Sequence, residues 1–153
     1  MVKKKIIVIG GTGFLGFHFS KLCKKKKWIV ISLSRKKVEK NKKIKGVTYI
    51  YSDLTKKDKL KKVLKKYLDV KYLANFGGEV DHSKSNKTIL SHFNGVKNLF
   101  EIFKNSNIKK FIQIGSSLEY GKKASPHDEN DLCKPKSNYA LAKNLASKFL
   151  LNL

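Results

Sequence analysis

Short apolar runs alternate along the chain with longer stretches in which apolar residues recur every three or four positions. Lys5–Gly10 is a continuous apolar run closed by glycines, and it reads as a strand buried on both faces. Phe14–Lys26 follows with helical spacing, and Trp28–Leu33 is a second β-branched run. Arg35–Gly46 is a lysine-rich connector, and Val47–Tyr51 a third short strand. Lys56–Leu68 sets Leu60, Val63, Leu64, Tyr67 and Leu68 on one helical stripe. Val70–Phe76 reads as a fourth strand, ended by Gly77 and Gly78. Ile89, Phe93, Val96, Phe100 and Phe103 mark a long helix, and Lys110–Ile114 a fifth strand stopped at Gly115. Gly121–Lys136 is a polar loop holding Pro126 and Pro135, and Ser137–Leu151 a last helix. Strands alternating with helices predict an α/β chain with a doubly wound parallel sheet of five strands, covered on both faces. Such a sheet takes its ligand beyond the carboxyl ends of the strands, where the strand order reverses. Residues just after strands are therefore the informative ones.

The first such segment is Gly10-Gly11-Thr12-Gly13-Phe14-Leu15-Gly16, with Gly10, Gly13 and Gly16 spaced GxxGxxG. Glycines permit the tight turn, let backbone approach a pyrophosphate, and let the helix lie close to the strand. The helix N-terminus adds free N–H groups and a partial positive charge. The end of the second strand reads Ser34-Arg35-Lys36, without the carboxylate that would hold an NAD ribose 2′-hydroxyl. Arg35 is suited to grip a 2′-phosphate, so NADP is favoured as cofactor, with NAD the second candidate.

Composition changes this picture little. The 153 residues suffice for one domain, and a hydrophobic share of 41% argues against disorder. The balance of 35 Lys+Arg against 11 Asp+Glu gives a net charge of +24, which on its own suggests an acidic partner. Yet Arg35 is the single arginine, and phosphate- or base-reading surfaces favour Arg over Lys. The charge is read as a solvated lysine coat, with no specific nucleic-acid partner. Cys23 and Cys133 are far apart and form no CxxC pair, so neither a disulfide framework nor a metal site is expected, and a reducing cytoplasm fits best. The apolar start at Met1 breaks at Gly10 with no cleavage signal, and no apolar run is long enough to span a bilayer.

Three more segments complete a pattern. Tyr139-Ala140-Leu141-Ala142-Lys143 is a YxxxK motif on the last helix, Ser116-Ser117-Leu118-Glu119-Tyr120-Gly121 follows the fifth strand, and Asp53-Leu54 follows the third. Together with the glycine loop, this set resembles the extended short-chain dehydrogenase/reductase family, the NAD(P)-dependent epimerases and dehydratases of nucleotide sugars. The resemblance implies a Rossmann-like fold over residues 1–153 and a nucleotide-sugar substrate. It implies cofactor contacts from Gly10, Thr12, Gly13, Phe14, Leu15, Gly16, Ser34, Arg35, Asp53, Leu54, Phe76 and Gly77. It implies catalytic roles for Ser116, Tyr139 and Lys143, the last two also touching cofactor. The spacing agrees, because Tyr139 and Lys143 share a helix face and an ammonium one turn away favours a phenolate. Tyr139 would move the proton of a sugar hydroxyl, and Ser116 would hold the same oxygen.

Departures from the family pattern narrow the reading. His92 stands where many members carry Asn, and it either takes that role or merely packs there. Ser117 and Leu118 replace the Asp-Glu pair of sugar dehydratases, with Glu119 one step too late, which favours 4-keto reduction or epimerisation. Members of the family continue into a smaller substrate domain, so the chain reads as an amino-terminal half. The competing reading is an inactive NADP(H) sensor or protein-interaction module. An edge at the fifth strand and apolar Phe149, Leu150, Leu151 and Leu153 also predict self-association as a homo-oligomer, and the complete glycine loop predicts stabilisation by NADPH.

Overall fold

The computed structural model describes residues 3–79, 81 and 85–153. Met1 and Val2, which begin the apolar start weighed above as a leader, lie outside the described residues. Five strands form one parallel sheet: β1 (Lys5–Ile9), β2 (Ile29–Ser34), β3 (Thr48–Tyr51), β4 (Tyr72–Asn75) and β5 (Lys110–Gln113), in the order β3-β2-β1-β4-β5. The helices are α1 (Phe14–Lys25), α2 (Lys57–Leu64), α3 (Ser85–Ile89), α4 (Gly95–Phe103) and α5 (Asn138–Leu151). The five strands match the sequence expectation, with boundaries shifted by one or two residues.

β1 is the centre of the sheet and alternates its side chains between two cores. Ile7 and Ile9 face one side with Ile31, Leu33, Leu60, Leu64, Leu73, Leu99 and Phe103, which brings in α2 and α4. Ile6 and Val8 face the other with Val30, Ala74 and Cys23, against which α1 packs through its buried Gly16, Ser20 and Cys23. Burial on both faces is why the run contains no polar alternation.

Two elements depart from the expected pattern. The stripe on the second helix holds for Leu60 and Leu64, which are fully buried, and for half-buried Val63 and Tyr67, but the α-helix ends at Leu64, a 3₁₀ turn covers Lys65–Tyr67, and Leu68 is exposed. The long helix is interrupted: Leu90–Asn94 forms a π turn between α3 and α4. Helical periodicity cannot report that extra residue, because apolar positions continue on both sides of it. Phe149 also corrects an expectation. It packs edge-on against Phe93 and Phe100, with centroids 6.4 and 5.4 Å apart, so it is used inside the described fold, whereas Leu151 and Leu153 are exposed.

The parallel register aligns the carboxyl ends of the strands along one edge of the sheet. Gly10–Gly13, Arg35, Ser52–Leu54, Phe76–Gly78 and Ile114–Ser116 all emerge there.

Candidate functional site

The glycine loop is fixed by close backbone contacts. Gly10 has φ +72°, a left-handed conformation, and a Cβ there would lie 2.9 Å from the Gly77 amide nitrogen. Its own N–H donates to the Leu33 carbonyl at 2.8 Å, and its carbonyl accepts from the Gly13 N–H at 2.9 Å. A Cβ on Gly16 would lie 2.3 Å from the Gly10 carbonyl oxygen, so α1 approaches the strand end only because Gly16 has no side chain. α1 has no acidic residue in its first turn and no side-chain cap at Gly13. Its first N–H groups point at the space above β1, where the helix dipole favours an anion.

A cavity of about 240 Å³ opens beside this loop. Gly10, Thr12, Gly13, Ser34, Arg35, Asp53, Leu54, Phe76 and Gly77 line it, so nine of the expected contact residues converge. Phe14 and Leu15 do not line it; their side chains point outward and are 79% and 55% exposed. Gly16 acts from behind, through the packing just described. Sequence reasoning missed Ile9, Leu33, Lys36, Ser52, Gly78 and Ser91. The first five neighbour residues that were singled out, so strand-end position alone would have found them. Ser91 had no local signal, since the π turn brings it to the sheet edge.

The walls are held in place by specific bonds. Asp53 Oδ1 accepts from both the N–H and the hydroxyl of Thr55 at 2.8 Å, and the Leu54 carbonyl accepts from Asn98 Nδ2 at 2.7 Å. Asn75 is buried, donates from Nδ2 to Gln113 Oε1 at 2.8 Å, and accepts the Gly77 N–H at 3.0 Å. Ser52 Oγ is a buried hydroxyl without a hydrogen-bond partner, next to the cavity. Such an orphan is costly unless a ligand satisfies it. Arg35 Nη1 donates to Glu79 Oε2 at 3.2 Å. Ile9, Leu33, Leu54 and Phe76 make an apolar lining, the first N–H groups of α1 a set of donors for an anion, and Arg35 and Lys36 a cationic bank. That combination suits a ligand with a flat apolar ring and phosphates, and the residues fit a dinucleotide.

A second cluster lies at the start of α5. Ser137 caps the helix by accepting the Ala140 N–H at 3.1 Å. Tyr139 and Lys143 share one face, with Lys143 Nζ 5.7 Å from the Tyr139 ring centroid. Lys143 is buried and donates to the Ile114 carbonyl at 2.7 Å, which ties α5 to the segment leading into Ser116. Burial pushes the Lys143 ammonium below its usual value of 10.5, and the Glu119 carboxylate partly opposes this. Ser116 accepts the Leu118 N–H at 3.3 Å, and Glu119 Oε1 accepts the Ser116 N–H at 2.7 Å, a reciprocal capping box. Glu119 is thus buried as a cap and as a counter-charge to Lys143, a role the sequence spacing did not reveal. His92 is buried, packs edge-on to Tyr139 with centroids 5.1 Å apart, and its Nε2 lies 3.0 Å from the Glu79 carbonyl.

Among the described residues no three His, Cys, Asp or Glu side chains gather to hold a metal ion. No helix of the described residues is long and apolar enough to cross a membrane.

Residues 6–153 match the family model described as the NAD dependent epimerase/dehydratase family. No curated protein sequence matches the chain. Several solved structures share the fold. The Bordetella bronchiseptica enzyme WbmG, in complex with NAD and UDP, is 15% identical with a TM-score of 0.87, over 98% of this chain and 50% of that one. The UDP-glucose 4-epimerase of Thermotoga maritima is 18% identical with a TM-score of 0.87, over 97% of this chain and 50% of that one. The UDP-glucuronic acid 4-epimerase of Bacillus cereus, in complex with NAD, is 22% identical with a TM-score of 0.81, over 97% of this chain and 51% of that one. The chain therefore spans about half the length of the solved structures it matches.

Proposed function

The chain belongs to the NAD-dependent epimerase/dehydratase family, and from that membership we propose that it binds NAD(P) and serves 4-keto reduction or epimerisation of a nucleotide sugar. The observation that carries this reading is the convergence of the glycine loop with Arg35, Asp53, Leu54, Phe76 and Gly77 on one cavity. The N–H groups of the α1 N-terminus, which the glycine loop leaves uncovered, would hold the pyrophosphate. Leu33, Leu54 and Ser52 would surround the adenine, with the Ser52 hydroxyl gaining a partner. Arg35 and Lys36 would meet a 2′-phosphate, so NADP is the preferred cofactor. The bound dinucleotide supplies a hydride acceptor or donor.

The remaining roles fall to the chain's own side chains. Tyr139 would take and return the proton of a sugar hydroxyl, and Ser116 would hold the same oxygen. Lys143, whose ammonium sits 5.7 Å from the Tyr139 ring centroid, would bind the cofactor ribose. A nucleotide sugar is the proposed substrate because the matching epimerases act on such compounds.

Fluorescence titration with NADH and NADPH tests the reading directly. The expected result is saturable binding of both. Gly16→Val is expected to weaken it by at least about tenfold, because the new side chain forces the loop away from α1. Tyr139→Phe is expected to leave that binding within about twofold while abolishing any turnover of a UDP-hexose, since only the reacting hydroxyl is lost. No binding of either nucleotide would overturn the proposal.

A further inference from the structure

The cavity carries one charged contact that its family pattern does not explain. Its two banks are formed by Ser34, Arg35 and Lys36 at the end of β2, and by Gly77, Gly78 and Ser91 after β4 and in the π turn. β1 lies between β2 and β4 in the sheet. Glu79 directly follows Gly78, and its N–H donates to Ser91 Oγ at 2.9 Å while its carbonyl meets His92 Nε2 at 3.0 Å. From that anchored position its carboxylate reaches the Arg35 guanidinium at 3.2 Å. The pair therefore joins the two banks across the carboxyl end of β1. Its carboxylate is largely buried, at 14% side-chain exposure, while Arg35 remains at 49%.

We propose that Glu79 is a determinant of cofactor preference: it competes with the 2′-phosphate of NADP for Arg35 and so shifts the balance toward NAD. This rests on the dinucleotide reading given above. Arg35 is the single arginine of the chain, so the cation suited to bidentate phosphate binding is the one already engaged by a carboxylate. A 2′-phosphate drawing on Arg35 must replace the Glu79 carboxylate or share the guanidinium with it, and sharing places two anions side by side. A 2′-hydroxyl makes no such demand and leaves the pair intact. The carboxylate that usually sits at the end of β2 to select NAD is absent here. Glu79 supplies a negative charge to the same locus from the other bank. The anchoring of its backbone by Ser91 and His92 makes this a fixed charge rather than a wandering surface side chain.

The test is a double-mutant cycle on the full chain, read by fluorescence titration with NADPH and NADH. Glu79→Gln keeps the shape and the backbone bonds and removes the charge. It is expected to tighten NADPH binding about two- to fivefold, the upper range for a partly exposed ion pair, and to change NADH binding by less than about twofold. In an Arg35→Ala background the same substitution is expected to leave the NADPH/NADH ratio unchanged. Thermal melts of each variant establish that the fold persists. If both nucleotides bind but Glu79→Gln leaves their ratio where it was, Glu79 has no such role and the dinucleotide reading survives. If neither nucleotide binds the unsubstituted chain, both readings fall together.

Discussion

Lys143 shows how a single residue can cost stability in order to serve a site. Its ammonium is buried, and burial lowers its affinity for a proton below the ordinary value of 10.5, with Glu119 giving partial relief. The unfolded chain binds that proton more tightly, so stability rises with pH. The penalty is complete below the lowered folded value and vanishes above the ordinary one. Lys143→Met removes it. The stability of Lys143→Met relative to the parent is therefore expected to be most favourable near neutrality and to decline as pH approaches 10.5. The lost bond to the Ile114 carbonyl subtracts a constant of about 1 kcal/mol at every pH. Urea melts from pH 7 to 10.5 give the slope, and parallel curves for the two proteins would refute the argument. At this scale the sequence is legible where chemistry follows a strand end. Arg35, Asp53 and Phe76 were readable because each is the first or second residue past a β run. Glu79, Ser91 and Glu119 were not, because their partners lie 44, 12 and 3 positions away in directions set only by the packed sheet, the π turn and a cap.

At the scale of elements, periodicity predicts where a side chain faces but not how far the helix continues. In α2 the stripe reads correctly through Leu60 and Leu64, both without exposed surface, and fails at Leu68, past the 3₁₀ turn, which is 39% exposed. Leu60→Ala is expected to cost about 2–5 kcal/mol, the range for a fully buried leucine leaving a cavity. Leu68→Ala is expected to change stability by less than about 0.5 kcal/mol. Equilibrium urea unfolding of the two variants checks the contrast, and equal losses would mean that the helix extends through Leu68. The strands were the most legible elements, since β1 combines an unbroken apolar run with a glycine stop. The π turn was the least legible. It keeps apolar residues on the same side before and after, yet its wider winding puts Ser91 at the cavity and buried His92 beside Tyr139.

Over the whole molecule, charge acts against the fold that the apolar runs specify. The 35 cationic side chains face only 11 carboxylates, and the excess of +24 is spread over the surface. Ion pairs such as Lys5–Asp69, Lys42–Glu39 and Lys104–Glu101 use up part of the small acidic complement. Exposed pairs of this kind add little to stability, so they do not offset the repulsion among the remaining lysines. Self-repulsion destabilises a compact state and is screened by salt. The screening length falls from about 30 Å at 0.01 M to about 8 Å at 0.15 M, so the long-range part of the repulsion is largely removed over that interval. The thermal midpoint is therefore expected to rise with sodium chloride through this range, by about 2–4 °C for each kcal/mol of repulsion relieved. The same screening distinguishes a lysine coat from a nucleic-acid site. A coat binds any polyanion at low salt and releases it steeply as salt rises, because the affinity comes from displaced counterions. Differential scanning calorimetry and heparin retention across the same salt series measure both effects. A midpoint that does not move would refute the self-repulsion argument, and retention on one immobilised duplex sequence over another at 0.15 M (a roughly physiological ionic strength) would show that the positive surface is organised for recognition.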